Sequence, residues 1–278
     1  MANTTALISN CLLLKNSTSL ALVLLLFAQT IFAQGYELLD SIPIERPYKV
    51  SRDKQGNLYL VSQNGDVDKY DTQGQLLEHF SPGKPGDITL IEAWNPLKVF
   101  LYYGDFQEYM FLDRFLTSTN RFSLDVVSSY VGLATMSADN NIWVIDYSDF
   151  SLKKYDVTLG RITIQQPFDL LMAKSSYDIQ FMREYQNLLF FSDTAEGILV
   201  FDNLGNYLET WPEMGVGYFN FFKNEMYFVK DNEIHLYDIY QNVRRTVKIP
   251  RPATFASLAQ DRLLLVSDHY LWICQRQR

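Results

Sequence analysis

The stretch that decides the fold runs from residue 56 to residue 80 and reads GNLYLVSQNGDVDKYDTQGQLLEHF. Glycine and asparagine open it, and polar turns at Gln63-Asn64-Gly65 and Thr72-Gln73-Gly74 divide it into three apolar or aromatic segments. Short apolar runs bounded by such turn residues are typical of β-strands joined as hairpins. The stretch therefore predicts three consecutive antiparallel strands.

The same order of strands and turns recurs along the chain. Further copies lie at 187–211, 141–156 and 225–238, with a looser copy at 98–113. The aspartates that end the third strand are 42, 43, 46 and 36 residues apart, and they are Asp71, Asp113, Asp156, Asp202 and Asp238. A period near 40 with four strands per unit is typical of a β-propeller blade.

Counting the segment before each copy as an inner strand predicts the number of blades. These segments are 48–52, 88–93, 131–137, 177–182, 218–222 and 254–258. The sequence thus predicts an all-β fold, a six-bladed β-propeller with four-stranded antiparallel blades. The last blade ends after its third strand, which holds Trp272, whereas Tyr36–Pro43 precede the first inner strand without a partner. We predict that this N-terminal strand completes the sixth blade and removes two exposed strand edges.

The repeat resembles the NHL type. Residues 56–62 and 67–74 follow its order of glycine, strand, turn, strand, aromatic-Asp and glycine. The resemblance covers two blades well and the others weakly. It implies the propeller fold and little about function, because such folds host many unrelated sites.

The first 33 residues indicate export. They hold one charged side chain, Lys15, followed by the apolar run Leu20–Ala28 and by a small residue, Ala33, at a plausible cleavage point. This order is typical of a signal peptide. An uncleaved anchor is the alternative, but nine apolar residues fall short of the ~20 that span a bilayer. We expect a signal peptide at 1–33 and one propeller domain at 34–278, located in the periplasm, the cell envelope or outside the cell, without a membrane span in the mature chain.

Charge and cysteine content narrow the partners. Without residues 1–33 the chain has 23 basic and 32 acidic residues, a formal charge of −9. Nucleic acid is a poor partner for such a chain, and the basic run Arg244–Lys248 is interpreted as a solvated strand.

Without residues 1–33, Cys274 is the one remaining cysteine, so no internal disulfide is possible and we expect Cys274 to be a core residue.

Acidic residues gather in the predicted turns between second and third strands. These ligand-binding candidates are Asp105, Asp146, Asp149, Asp193, Asp231 and Asp268. In the propellers that this chain resembles, these turns surround the mouth of the central channel, and a ring of carboxylates there would attract a cation or a basic partner. Asp is also common in tight turns because it bonds its own backbone, and both interpretations stay open.

Catalytic patterns are sparse. His79, His235 and His269 fall on a fourth strand, a third strand and a turn, which disfavours a histidine-based zinc site or an NHL-type lyase. No Gly-x-Ser-x-Gly motif occurs. Glu92, Asp178 and Asn220 lie on or beside inner strands and either hold calcium, as in a lactonase-like hydrolase, or line a wet channel.

The sequence therefore favours a non-catalytic propeller, without a cofactor, that binds a protein or other ligand through its loop-bearing face. The alternative is a calcium-assisted hydrolase with its site at the central channel. Within the predicted connections, Phe168, Leu170, Leu171 and Met172 either line a binding surface or cover the core.

Overall fold

A computed structural model describes residues 35–84, 86–118, 120–168, 177–241 and 243–277. These residues form a ring of six four-stranded antiparallel sheets, which confirms the predicted six-bladed β-propeller. The predicted signal peptide at 1–33 lies outside the described residues, as do Leu170, Leu171 and Met172.

The first three blades follow the chain from the inner strand to the outer strand. Blade 1 comprises β2 (Lys49–Arg52), β3 (Leu58–Val61), β4 (Val67–Tyr70) and β5 (Leu76–Phe80). Blade 2 comprises β6 (Leu90–Glu92), β7 (Val99–Tyr103), β8 (Glu108–Leu112) and β9 (Phe122–Ser123), with a 3-10 helix at Gly104–Phe106 between β7 and β8. Blade 3 comprises β10 (Val131–Met136), β11 (Ile142–Asp146), β12 (Ser151–Asp156) and β13 (Arg161–Pro167).

The other three blades repeat this order, except that the last takes its outer strand from the N-terminal side. Blade 4 comprises β14 (Ile179–Tyr185), β15 (Leu188–Asp193), β16 (Gly197–Asp202) and β17 (Tyr207–Trp211). Blade 5 comprises β18 (Asn220–Phe222), β19 (Glu225–Lys230), β20 (Glu233–Asp238) and β21 (Arg244–Lys248). Blade 6 comprises β22 (Phe255–Leu258), β23 (Arg262–Val266), β24 (Tyr270–Arg276) and β1 (Tyr36–Pro43).

The closure of the ring is as predicted. Strand β1 pairs antiparallel with β24, from Tyr36 opposite Arg276 to Pro43 opposite Tyr270, and Ser41 lies opposite Trp272. The ring therefore closes through backbone hydrogen bonds between its two ends, and the edge of β24 is covered.

The repeated aspartate has a structural cause. The Oδ1 atom of Asp202 accepts the backbone N–H groups of Leu204 and Asn206, at 2.9 and 2.8 Å, and so fixes the turn into the outer strand. Matching backbone bonds are made by Asp71, Asp113, Asp156 and Asp238. Blade 6 needs no such residue because its third strand is not followed by a turn into the fourth.

Apolar side chains fill the space between neighbouring blades. One buried cluster joins blades 2 to 5, and three smaller clusters join blades 1 and 2, blades 6 and 1, and blades 5 and 6. Cys274 is buried in the last of these, as predicted. The basic run Arg244–Lys248 is the outer strand β21 and is mostly exposed, also as predicted.

The alternation of strands defines two faces. The loop face carries the turns between second and third strands and the connections between blades, and the base face carries the other turns. In the described part of the chain we find no helix with the length and apolar character needed to cross a bilayer.

Candidate functional site

The loop face opens into a cavity of about 530 Å³ over the central channel. We call it the channel-mouth pocket. Its lining comes from the starts of four inner strands, β2, β6, β14 and β22, and from two segments of blade 5. It includes Lys49, Thr89, Phe181, Gly217, Tyr218, Lys230, Asp231 and Phe255. Each inner strand begins at this end of the channel, so the fold itself brings residues far apart in sequence to one place.

Aromatic rings form one wall of the pocket. The ring of Tyr218 lies 4.7 Å from the ring of Phe181 and 5.2 Å from that of Phe255, measured between centroids. Burial raises the pKa of the Tyr218 phenol to about 12, although the Arg183 charge opposes this, so the phenol stays neutral at ordinary pH. The Tyr218 hydroxyl accepts a hydrogen bond of 3.0 Å from the Asn220 side-chain amide in the channel, so the wall offers a ligand mainly flat apolar surface.

Lys49 supplies a cation to the pocket. Its ammonium lies 4.9 Å from the centroid of the Tyr48 ring. Among the described residues no carboxylate lies within ion-pair distance of it. Burial lowers the pKa of the Lys49 amine, because the charged form loses solvation there. The other lining lysine, Lys230, donates a hydrogen bond of 3.0 Å to the backbone carbonyl of Met214.

Arg183 lies within the channel. This residue of β14 is 1% exposed, and its guanidinium reaches three other blades. Its Nε donates to Glu92 Oε2, its Nη1 to Asn220 Oδ1 at 2.7 Å and its Nη2 to Ser51 Oγ at 3.0 Å. Buried charges are stable only when paired and hydrogen-bonded. This cluster is therefore satisfied within the protein.

The cluster belongs to a ring of buried polar side chains, one from each inner strand. Each is at most 5% exposed, and they are Ser51, Glu92, Thr135, Arg183, Asn220 and Ser257. Their cross-strand partners occupy corresponding positions near the start of each second strand. The hydroxyls of Thr135 and Ser257 have no partner among the described residues. Each blade thus contributes one buried polar side chain to the channel, inside the apolar packing between blades.

The three calcium candidates are only partly brought together. Glu92 and Asn220 meet, but at the Arg183 guanidinium. Glu92 Oε1 also accepts the backbone N–H of Trp94 at 2.8 Å. Asp178 is exposed, and its carboxylate accepts bonds from Thr194 and Gln180. Glu92, the carboxylate expected to bind calcium in the channel, is therefore already paired with the Arg183 guanidinium.

The six acidic candidates lie in or beside the turns between second and third strands, and most have partners. Asp146 is 1% exposed and forms an ion pair with Lys153, which lies 2.8 Å from Asp149. Burial alone would raise the pKa of Asp146, but hydrogen bonds from Lys153, Ser128 and Ser148 outweigh burial and lower the pKa to about 2.

The remaining acidic candidates differ in their surroundings. Asp193 is buried and accepts the backbone N–H groups of Ala195 and Glu196, as turn chemistry requires. Asp268 lies 3.4 Å from the exposed Arg46 guanidinium. Asp105 and Asp231 are exposed and make no side-chain hydrogen bond within the described ranges. The acidic turns therefore present separate charges, several of them already paired.

The three histidines lie on blades 1, 5 and 6. His79 bonds Asp68 at 2.7 Å, and His235 stacks on Phe228. Within residues that the structure describes, no group of three His, Cys, Asp or Glu side chains comes together.

Phe168, at the start of the connection that follows β13, is fully buried and packs on Phe191 and Phe201. This part of the connection therefore covers the core.

Sequence reasoning missed Arg183 and Lys49. Both lie in inner strands, on or beside which the sequence pattern indicated only Glu92, Asp178 and Asn220 as candidate channel residues. Lys49 stands beside two apolar or aromatic residues, Tyr48 and Val50, and a lone lysine at the start of an inner strand was the available signal.

Comparison with known proteins supports the fold. No protein-family model and no curated protein matches this chain. A streptogramin B lyase structure matches with a TM-score of 0.58 at 12% identity, over 87% of this chain and 97% of that one. The WD40 domain of Neurospora crassa Pan2 matches with a TM-score of 0.58 at 8% identity, over 89% of this chain and 97% of that one.

A third similar structure is the extracellular domain of a putative one-component system from B. thetaiotaomicron. Its TM-score is 0.51 at 12% identity, over 81% of this chain and 32% of that one. At these identities the likeness concerns the fold alone. Strand order and structural likeness together define the class of this protein as a six-bladed β-propeller.

Proposed function

We propose that this propeller is an exported, non-catalytic binding module that holds its ligand in the channel-mouth pocket. The ligand is a small molecule or a group presented by a partner protein. One observation carries the proposal: the pocket opens on the loop face, whereas the polar cluster in the channel is already bonded to itself through Arg183.

The character of the pocket supports binding. Ligand sites are commonly concave, of about 300–1,000 Å³, mostly apolar, and carry a few placed polar groups. The aromatic wall and the Lys49 ammonium match this description. Export rests on the sequence pattern of residues 1–33, and it places the ligand in the periplasm, the cell envelope or the medium.

The calcium-assisted hydrolase has weaker support. Calcium takes about 6–8 oxygen ligands, and Glu92 already bonds the Arg183 guanidinium and the backbone of Trp94. A cation at this place would have to displace the guanidinium. Calorimetric titration with calcium tests the point: stoichiometric binding that is lost in Glu92→Gln would favour the hydrolase over our proposal.

Two glycine positions offer a matched test of the binding function. A Cβ atom at Gly217, in the pocket lining, would meet no other atom within 4 Å, and the same holds for Gly83 on another connection of the loop face. Gly217→Trp should therefore fill the pocket without disturbing the fold, and Gly83→Trp is its control.

The assay uses the small-molecule fraction of an envelope extract, incubated with each protein, followed by gel filtration and mass spectrometry of what is retained. We expect a species that the wild type and Gly83→Trp retain and Gly217→Trp does not. Retention of nothing by the wild type, or equal retention by all three proteins, would contradict the proposal.

A further inference from the structure

We infer that the channel-mouth pocket binds a ligand with a flat apolar body and one acidic group, whose negative charge lies at the Lys49 ammonium. This inference rests on the proposed function and adds the chemical class of the ligand. Carboxylate, sulfonate and phosphate groups share the required chemistry, an oxygen anion that accepts hydrogen bonds from an amine.

The flat apolar body follows from the aromatic wall. Phe181, Tyr218 and Phe255 come from blades 4, 5 and 6 and lie side by side, with centroid distances of 4.7 and 5.2 Å. Aromatic faces favour flat apolar partners, which offset-stack or meet them edge to face. The pocket volume of about 530 Å³ has room for a body of two or three fused or linked rings.

The acidic group follows from the charges in the lining. The lining has three formally charged side chains, Lys49, Lys230 and Asp231, so its formal charge is positive although the whole chain carries −8. The positive charge below the pocket, Arg183, is balanced by Glu92. The pocket is therefore a locally cationic place on an acidic protein, which selects anions over cations.

Lys49 is the lysine free to meet that anion. Lys230 donates to the Met214 carbonyl and lies beside Asp231 in sequence, whereas the Lys49 ammonium contacts the ring of Tyr48. Burial of the Lys49 amine takes solvation from its charge and lowers its pKa. An anionic ligand would compensate for that lost solvation. Hydrogen bonds between charged groups are about twice as strong as those between neutral groups.

A pair of fluorescent probes separates the two parts of the inference. Anilinonaphthalene sulfonate and phenylnaphthylamine share one aromatic body and differ by the sulfonate. We expect both to bind the wild type and the Gly83→Trp control, and neither to bind Gly217→Trp at the same site. The sulfonate should make binding about tenfold tighter, which corresponds to about 1.4 kcal/mol.

Variants at Lys49 then assign the anion contact. Lys49→Met should remove the advantage of the sulfonate and leave phenylnaphthylamine binding within about twofold, and Lys49→Arg should keep the advantage. Lys248→Met, at an exposed lysine of the outer strand β21, is the matched control and should change neither affinity. Circular dichroism and the thermal midpoint establish that each variant is folded.

The outcomes distinguish the two proposals. If neither probe responds to Gly217→Trp, the pocket is not a binding site and the proposed function fails together with the inference. If both probes respond to Gly217→Trp but the sulfonate gives no advantage, or Lys49→Met does not remove it, the inference alone is overturned and the pocket remains a site for uncharged ligands.

Discussion

Replacing Arg183 by methionine should lower the free energy of unfolding by about 3–5 kcal/mol, the usual effect of removing one partner of a buried ion pair. The side chain of Arg183 is 1% exposed and that of Glu92 is 6% exposed, so the variant leaves a buried carboxylate without its cation. The bonds to Asn220 and Ser51 are lost as well. Methionine matches the length of the arginine stem as far as Nε and keeps the apolar contacts of that stem.

A double-mutant cycle measures the pair itself. Glu92→Gln should also destabilise the protein, because Arg183 then becomes the unpaired charge. The double variant should be about 2 kcal/mol more stable than the sum of the two single effects predicts, since it leaves no buried charge unbalanced. Urea unfolding followed by tryptophan fluorescence supplies the free energies and the slopes.

An exposed ion pair serves as control. Arg245 and Glu225 form two bonds of 2.7 and 2.6 Å, with 44% and 24% of their side chains exposed. Arg245→Met should therefore change stability by less than about 1 kcal/mol. A loss of less than about 1 kcal/mol in Arg183→Met, or strictly additive effects in the cycle, would refute the reasoning that the channel is held by a buried ion pair.

Three further predictions concern other parts of the ring. The pKa of Asp146 is lowered from 3.8 to about 2, so Asp146 contributes about 2 kcal/mol to the free energy of unfolding above pH 4 and loses this contribution as the pH falls towards 2. Urea unfolding of Asp146→Asn at decreasing pH should lack this loss of stability. Removal of residues 36–43 should expose the edge of β24 and produce oligomers in size-exclusion chromatography, and a stable monomer would contradict the closure. Burial raises the pKa of the Cys274 thiol to about 11. In the variant Cys11→Ser, where Cys274 is the remaining thiol, a thiol reagent at pH 8 should modify it only after unfolding in urea. Rapid reaction with the folded protein would contradict its burial.

The sequence predicts the fold well because its strongest signal is local. The aspartate that ends a third strand bonds backbone groups two to four residues further along, so the same residue is required at the same place in blades 1 to 5. Blade 2 shows the limit of this signal. Its outer strand is only Phe122–Ser123, and the residues before it lack the alternation from which a strand could be predicted.

The site depends on contacts between distant residues and is less predictable. The partners of Arg183 are 91, 37 and 132 residues away along the chain. Arg183 and Glu184 are adjacent charges within one strand, and no local pattern tells which of them is buried. Glu92 and Asn220 were identified from their inner strands, but the cation between them required the assembled ring.

The pairing of Tyr36 with Arg276 also decides where a tether can be attached. Third strands run from the loop face to the base face, so both ends of the described domain emerge at the base face. A label, a surface linker or a fused protein joined at either end would thus leave the channel-mouth pocket turned towards solution. The propeller can therefore be immobilised through its base face while the pocket on its loop face stays open to solution.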